Sequence, residues 1–399
     1  MQDPPRPAGG ALGLAAVTLH MTGVGLTLGV LFPLTSLTLE RWGSSERVIG
    51  LAGSMSPISI LFLMPLLPRV AARLGAVRAM VAGCALAALA LAAMYPLQSV
   101  PAWLVARFAI GAGLALPWLV GDVWINSASS ESGRGRAIGA YVACFFAGFA
   151  TGPVLLDAVG LEGFAPHALG IGALALATAP LVAARRHAPP IEASGGRGLL
   201  GSMRAVPLVA VGAVAAGFAE SAAFALLPVW GLGTGLAETA ALRLLSVFIA
   251  GGIALQLVAG TLADRVGRRA LLAVAGLGLG AVALGLELVP SGWPTLALAF
   301  AAGGLALAIY GLSLTLLGQR FEARELANAS AAWLVLYQLG SMSGPVVAGA
   351  AMDAAGGPGF TAALGAAGLV CGAVALGRAS GRADSVRPRD GPARHGPGA

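Results

Sequence analysis

Lysine is absent from this chain of 399 residues, so all 24 of its basic residues are arginine. Charged residues make up only 10% of the chain, whereas a typical soluble domain contains about 25%. A soluble protein of this length with so few charges could not cover its surface. This shortage excludes a soluble enzyme and a disordered chain. The net charge of +7 does not predict nucleic-acid binding, because the arginines lie in short clusters between apolar blocks.

Cysteine is also scarce, and the spacing of the cysteines does not indicate a disulfide or metal framework. Cys84, Cys144 and Cys371 each lie inside an apolar block. Such positions are typical of small buried residues and exclude a disulfide scaffold or a metal site. The chain has no G-x-x-x-x-G-K-[ST] phosphate loop and no H-E-x-x-H motif. We therefore expect no nucleotide hydrolysis, no metalloenzyme and no cofactor.

Apolar residues are abundant instead: they make up 57% of the chain, and the mean hydropathy is +0.85. They run in uninterrupted blocks, and a membrane-spanning helix requires about 20 such residues. The sequence therefore predicts a polytopic helical protein of the lipid bilayer. Twelve blocks meet this length, give or take a few residues at each end: 11–38, 47–68, 76–96, 101–126, 136–159, 164–184, 205–231, 238–262, 270–289, 293–318, 325–350 and 357–377.

The positions of the arginines predict the orientation of these spans. Both termini and the loops that follow even-numbered spans hold most of the arginines, whereas the opposite side holds Arg41, Arg47 and Arg243. Positive residues in short loops are retained on the cytoplasmic side. We therefore expect both termini to be cytoplasmic, in the inner membrane of a bacterium.

The longest loop, 185–204, divides the chain into two halves that resemble each other. We expect six-helix bundles at 1–184 and 205–377, followed by a disordered cytoplasmic tail at 378–399. Three patterns recur 192 residues apart: Gly148-x-x-x-Gly152-Pro153 as Gly340-x-x-x-Gly344-Pro345, Phe108-x-x-Gly111 as Phe300-x-x-Gly303, and Arg73-x-Gly75 as Arg265-x-Gly267. A single offset indicates a duplicated six-span unit, an architecture found in transporters. The alternative is recurrent glycine-rich low complexity.

One loop carries a family resemblance. The segment Gly260-Thr-Leu-Ala-Asp264-Arg265-Val-Gly267-Arg268-Arg269 resembles the signature loop of the major facilitator superfamily. The resemblance implies an all-α membrane protein with twelve transmembrane helices in two pseudo-symmetric six-helix bundles. It also implies that the glycines, the aspartate and the arginines of this loop act in gating. Glycines permit a tight turn and close helix packing.

The first half departs from that pattern. At the same offset Pro68 replaces the first glycine and Ala72 replaces the aspartate, so only Arg73 and Gly75 remain. We expect Asp122, near the cytoplasmic end of span 4, to supply the acidic group there. The alternative is that these charges only set the topology.

Span 4 contains an arginine, which is costly inside a membrane. The segment Arg107-Phe-Ala-Ile-Gly111-Ala-Gly113 is similar to a superfamily motif often associated with proton coupling. Arg107 is therefore a candidate for coupling. The alternative is that its side chain reaches the outer interface, about two turns away at ~1.5 Å per residue.

Spans 5 and 11 share a pattern of small residues followed by proline. In span 5, Gly148, Gly152 and Pro153 resemble the antiporter motif of drug–proton exchangers, although Leu156 and Asp157 stand where that motif ends in glycines. Small residues allow close helix packing, and proline bends a helix. We expect these residues and Gly340, Gly344 and Pro345 of span 11 to line the interface that rocks during transport. The alternative is ordinary close packing.

Ionisable and polar residues near span centres are the candidate binding groups. Glu220 in span 7 and His20 in span 1 occupy corresponding spans, which line the central cavity in this superfamily. A carboxylate in an apolar setting can bind and release a proton, and histidine titrates near neutral pH. We expect Glu220 and His20 to carry protons. The candidate substrate contacts are Gln256, Tyr310, Tyr337 and Gln338.

These observations predict a secondary active transporter that exports a small organic solute in exchange for protons, working as a monomer without nucleic acid. The stretch Asp122-Val-Trp124-Ile-Asn126 resembles a branch of the superfamily described mostly as efflux or sugar-efflux permeases. A cavity with few charges favours a lipophilic, weakly polar or cationic solute. The alternatives are a proton-symporting uptake permease, a non-transporting receptor or assembly factor, and an intramembrane enzyme.

Overall fold

The computed structural model describes residues 10–129, 133–191, 206–321 and 323–377, and this part of the chain folds into helices. Twelve of the described helices are long and apolar enough to cross a membrane, which confirms the predicted all-α membrane fold. In chain order the helices are α1 (Gly10–Arg41), α2 (Glu46–Leu63), α3 (Leu67–Leu74), α4 (Ala76–Met94), α5 (Val100–Ala128), α6 (Arg134–Val159), α7 (Ala165–Ala183), α8 (Pro207–Gly233), α9 (Glu238–Val266), α10 (Arg268–Leu288), α11 (Trp293–Gly318), α12 (Ala323–Ala355) and α13 (Gly357–Gly377).

The second membrane-spanning helix is shorter in the structure than the apolar block 47–68 that predicted it. The block 47–68 separates into α2, which ends at Leu63, and the short helix α3, which begins at Leu67. Pro65 and Pro68 lie at this break. Proline lacks a main-chain donor and disfavours helical geometry in the residue before it. Apolar length alone therefore overestimated this span.

The internal repeat is visible in the packing as well as in the sequence. At several glycines an added Cβ would meet a residue of a neighbouring helix, and these contacts recur at the same offset of 192 residues. The matching pairs are Gly25–Phe145 with Gly217–Tyr337, Gly148–Thr22 with Gly340–Val214, and Gly111–Ser56 with Gly303–Phe248. Low complexity would not reproduce contact partners in register. The two halves are therefore pseudo-symmetric, as predicted.

The repeated Arg-x-Gly pattern has a geometric cause. Gly75 ends α3 and precedes α4 with φ +80°, and Gly267 ends α9 and precedes α10 with φ +94°. Residues with a Cβ rarely adopt such angles. Each glycine therefore provides the sharp turn between two helices of its half.

The predicted linker and tail lie largely outside the residues that the structure describes. Residues 185–187 form a single 3₁₀ turn after α7, and the described chain continues to Ile191. Residues 192–204 of the predicted linker and the predicted tail at 378–399 lie outside the described residues.

Candidate functional site

The two halves are held together at the side predicted to be outside the cell, which we call the outer side. Arg41 at the end of α1 donates from Nη2 to Oε2 of Glu238 at the start of α9, over 2.6 Å. The main-chain nitrogen of Arg47 on α2 donates to the carboxylate of Asp353 on α12, at 3.3 Å. Both contacts cross from the first half to the second. They close the outer side in this conformation.

A cluster of three phenylalanines, which we call the phenylalanine plug, lies deeper between the halves. Phe224 of α8 contacts Phe149 of α6 at 4.7 Å between ring centroids and Phe32 of α1 at 5.8 Å. Phe32 and Phe149 are 6.0 Å apart. All three side chains are buried. Aromatic pairs of this kind contribute about 0.5–1.5 kcal/mol each beyond their buried area. The plug is therefore a second contact between the halves that stabilises the closed outer side.

Glu220 lies one helical turn inward from this plug. It occupies the middle of α8, four residues before Phe224, so the two side chains lie on the same face of the helix. Only 3% of Glu220 is exposed. The hydroxyl of Tyr337 donates to Oε2 of Glu220 at 3.0 Å. Among the described residues, Oε1 has no hydrogen-bond partner, which leaves one oxygen free to bind a proton or a ligand.

The rings of Tyr337, Trp333 and Tyr310 form an aromatic cluster on the inner side of the Glu220–Tyr337 hydrogen bond. Tyr337 stacks on Trp333 at 5.6 Å with an interplanar angle of 12°, and Tyr310 meets both rings edge-on at 5.3 and 4.9 Å. The structure thus brings three predicted residues together. Trp333 was missed, although its position one turn before Tyr337 was a signal that could have found it.

The other two predicted substrate contacts lie around this centre. Gln338 follows Tyr337 on α12 and is buried. Gln256 of α9 is partly buried and lies beside Gly311 of α11. The structure therefore places Gln256 between α9 and α11 of the second half, beside the residue that follows Tyr310. Their roles as substrate contacts stay predictions.

Arg107 is buried on the outer side of the plug, opposite Glu220. Its side chain is fully buried, its Nε donates to the carbonyl oxygen of Ala52 at 3.2 Å, and its guanidinium lies 4.7 Å from the centroid of Phe32. Among the described residues, its terminal nitrogens form no hydrogen bond. It shares a narrow crevice with Ala225 of the second half. These contacts exclude the alternative that Arg107 extends to the outer interface.

His20 does not share the central cavity with Glu220, contrary to the prediction. Its ring is fully buried, with Nδ1 3.2 Å from the carbonyl oxygen of Ala177 on α7 and Nε2 3.7 Å from Sγ of Cys84 on α4. Position along a helix sets depth in the membrane but not the direction of the side chain. His20 faces α4 and α7, within the first half.

The small-residue motifs also lie mostly within single halves. An added Cβ at Gly148 or Gly152 would meet α1, and one at Gly340 or Gly344 would meet α8. These glycines therefore allow close packing inside each bundle, and the expectation that they line the rocking interface is wrong for them. Pro345 differs, because its main chain lies against Gly50 of α2 and so crosses between the halves.

Pro153 of α6 is buried, and its expected place at the rocking interface stays a prediction. The signature-loop glycines differ in their surroundings: Gly267 makes the turn described above, whereas an added Cβ at Gly260 would meet open space. Gly260 therefore does not serve close packing in this conformation. Arg265 is exposed and Arg268 partly buried.

Three further gating candidates lie near the inner ends of helices. The side chain of Asp264 is outside the described part of the structure. Arg73 is exposed at the end of α3. Asp122 of α5 accepts a hydrogen bond from the hydroxyl of Tyr141 on α6 at 3.4 Å. This bond links two helices of the first half, so a gating role for Asp122 stays a prediction.

We predict that Asp264→Asn slows transport but leaves substrate affinity within a few-fold, because this residue lies near the inner end of α9, away from Glu220. Transport rate and binding are measured on the same purified protein. Asp157→Asn, the same change near the outer end of α6, is the control and leaves both unchanged. Complete loss of binding in folded Asp264→Asn protein would contradict the assignment.

The site can bind a cation or a proton, but it does not resemble a metal centre. Among the described residues, no group of three histidine, cysteine, aspartate or glutamate side chains could hold a metal ion. One carboxylate bordered by aromatic rings is an environment that attracts organic cations, through charge pairing and through cation–π contact. The plug separates this carboxylate from Arg107.

Sequence comparison relates the chain to bacterial transporters. Residues 14–245 and 209–397 match the model of the Major Facilitator Superfamily. An uncharacterized MFS-type transporter of Yersinia pestis is 25% identical over 329 residues, 81% of this chain and 84% of that protein. YfkF of Bacillus subtilis, also described as an uncharacterized MFS-type transporter, is 32% identical over 138 residues, 35% of each chain. YcaD of Escherichia coli is 24% identical over 61% of this chain, which spans 63% of that relative.

Solved structures support the fold. The nucleoside transporter NupG superposes with a TM-score of 0.71 at 15% identity, covering 92% of this chain and 99% of that one. A bacterial homologue of the lysosomal transporter Spinster, in an inward-facing and occupied conformation, superposes with a TM-score of 0.72 at 16% identity, covering 94% and 96%. Matched over nearly its whole length, this chain belongs to the major facilitator superfamily, and it is a transporter rather than an enzyme.

Proposed function

We propose that this transporter exports a small lipophilic cation from the bacterial cytoplasm in exchange for protons. The observation that carries the proposal is the buried carboxylate of Glu220, which has one oxygen bonded to Tyr337 and the other unpartnered. A charged group in the middle of a membrane helix costs about 2.5–3.5 kcal/mol on insertion scales. A carboxylate that alternately holds a proton and a cation is neutralised in both states, which gives a reason for its presence.

The surroundings of Glu220 support a cationic aromatic or aliphatic solute rather than an anion. Tyr310, Trp333 and Tyr337 supply ring surfaces, and rings of this kind stabilise a cation by about 0.5–2 kcal/mol. A phosphate ester would require several cations in the cavity. In this conformation the only arginine described near the centre, Arg107, lies beyond the phenylalanine plug.

The plug and the outer contacts support alternating access. The halves meet through Arg41 and Glu238 at the outer end and through the plug further in, while α5 packs against α1, α2 and α4, and α11 against α8, α9 and α10, each within its own half. We propose that the two bundles rock about the central site as one monomer. When the plug opens, Arg107 enters the cavity of Glu220 and competes with the bound cation, which favours release outside.

His20 takes no part in this cycle, since both ring nitrogens face groups of the first half. The coupled proton is instead assigned to Glu220. If a His20→Gln protein lost proton-driven transport while Glu220→Gln retained it, this assignment would be reversed.

The predicted orientation belongs to the same proposal, with both termini in the cytoplasm of a bacterial cell. Reporter fusions at Pro189 and after Arg378 should both give a cytoplasmic signal, because arginine-rich loops are retained inside. A fusion in the α1–α2 loop at Gly43 should give the opposite signal and serves as the control. A signal from outside at either of the first two positions would overturn the topology.

The function is tested with purified protein in proteoliposomes. Tetraphenylphosphonium and neutral aromatic solutes are first screened by thermal shift, because a ligand that binds the native state raises its apparent stability. A cation that binds should then be carried uphill when a proton gradient is imposed, in the direction opposite to the protons. Movement of the solute in the same direction as the protons would indicate uptake, and binding without any movement would indicate a receptor.

A further inference from the structure

A second cavity lies at the outer end of the first half, away from the central site. Its volume is about 210 Å³, and it lies between the ends of α1, α4, α5 and α7. The volume is larger than the roughly 30 Å³ share of one water molecule and smaller than the roughly 300 Å³ at which drug-sized pockets begin. It therefore suits one small organic molecule or a group of waters.

Unpartnered polar groups point to an occupant of this cavity. Thr38 and His167 both line it. Among the described residues, the Thr38 hydroxyl and both ring nitrogens of His167 form no hydrogen bond, although these atoms are buried. The main chain of Gly163 lies close to the His167 ring as a weak partner for one ring nitrogen, short of regular hydrogen-bond geometry. Buried polar groups are almost always satisfied, so the Thr38 hydroxyl and a His167 nitrogen left without a partner on one cavity indicate a polar ligand.

Aromatic rings form the rest of the wall. Trp42 and Trp103 lie 4.8 Å apart between ring centroids, and His167 lies 5.9 Å from Tyr95 and 6.3 Å from Trp103. All four rings line the cavity, together with the amide side chain of Gln98. Such a wall offers apolar ring faces beside hydrogen-bonding groups.

The charges at the rim decide the class of ligand. Arg41 lines the cavity and is shared by two carboxylates, Glu238 at 2.6 Å and Glu162 at 3.8 Å. An anion would meet these two carboxylates together with their one arginine. A cation would meet Arg41 and find no carboxylate without a partner. A neutral ligand avoids both costs.

We propose that this cavity binds a neutral polyhydroxylated ring of monosaccharide size from the outer side. Hydroxyl groups both donate and accept, as do the unpartnered Thr38 hydroxyl and the neutral His167 ring. The ring faces of the ligand would lie against Trp42 and Trp103. The route in is at the rim, where the Glu162 side chain is 93% exposed. The site is separate from the central site at Glu220, although Arg41 at its rim also forms the outer contact with Glu238 of the second half.

The variants that test this site should fold. The Thr38 hydroxyl has no partner to lose among the described residues, and the His167 ring loses only its weak contact with Gly163, so their replacement by apolar groups of similar shape is close to neutral or stabilising. Thr38→Val and His167→Phe are therefore the test variants. Thr35→Val is the matched control, because Thr35 lies on the same helix but donates to the carbonyl oxygen of Leu31 at 2.7 Å and does not line this cavity.

Binding is measured on the full-length protein by tryptophan fluorescence and by thermal shift. The probes are D-glucose, D-galactose, D-ribose and myo-inositol, with benzoate and tetramethylammonium as charged comparators. We expect saturable binding of at least one neutral polyol, unchanged in Thr35→Val and weakened at least tenfold in Thr38→Val and His167→Phe. The proposal is overturned if no polyol binds, so that the cavity holds water alone, if only a charged comparator binds, or if binding survives in the double variant. Loss of binding in Glu220→Gln instead would move the site to the centre and also overturn it.

Discussion

Glu220→Gln is expected to abolish proton-driven transport, while exchange of substrate for substrate across the membrane continues with a lower affinity, because the aromatic rings remain but the charge that pairs with the cation is gone. Net transport in our proposal requires the carboxylate to pass from a proton to a cation and back, and glutamine cannot lose a proton at neutral pH. Exchange requires no change in protonation. Because the two side chains have almost the same shape and the change removes a buried charge, folding should survive.

Both activities are measured in the same proteoliposomes, with and without a proton gradient. Glu287→Gln is the matched control, because Glu287 accepts hydrogen bonds from Trp230 and Thr361 near the outer end of α10, away from the plug. Uphill transport at the normal rate by Glu220→Gln protein would show that the proton is carried elsewhere. Exchange with unchanged affinity by Glu220→Gln protein would show that the cation does not pair with this carboxylate.

Arg107→Met is expected to stabilise the protein and to stop transport. The guanidinium is fully buried, and its terminal nitrogens have no hydrogen-bond partner among the described residues. Replacing a buried ion pair by apolar side chains of similar size is often neutral or stabilising by about 1–4 kcal/mol, and among the described residues Arg107 has no ion pair whose attraction would be lost. Transport stops because the cation that competes for Glu220 in the open state is gone. Binding measured in the inner-open state stays within a few-fold.

Thermal unfolding and transport are measured side by side for this variant. Arg243→Met, at an exposed position of α9, controls for the loss of an arginine and should change neither quantity. Arg107→Lys keeps the charge but not the planar fork, so it should retain more transport than Arg107→Met. Normal transport by Arg107→Met would remove Arg107 from the cycle.

Much of the fold could be predicted from the sequence because two signals act over the whole chain. Apolar length identifies helices that cross a membrane, and one offset of 192 residues relates Gly148 to Gly340 and Gly75 to Gly267. The structure shows that residues matched by this offset also have matching contact partners. The ends of helices were less certain, as the proline break between α2 and α3 illustrates.

The central site was predicted only in part, because membrane helices are apolar on all sides and do not reveal which face is buried. Glu220 and Tyr337 could be named as polar residues, but nothing in the sequence paired them. The plug residues Phe32, Phe149 and Phe224 look like any lipid-facing phenylalanine. The prediction that His20 faces the central cavity was wrong for the same reason. Its orientation follows from the close packing of α1 on α7, where an added Cβ at Gly23 would meet Ala177.

The most direct test of exchange at Glu220 is proton release on binding. Purified protein in weakly buffered detergent solution is mixed with the cation identified in the screen, and the released protons are counted against bound substrate. We expect close to one proton per cation for the unaltered protein, because the cation and the proton occupy the same carboxylate, and none for Glu220→Gln. Equal proton release from both proteins would contradict the account.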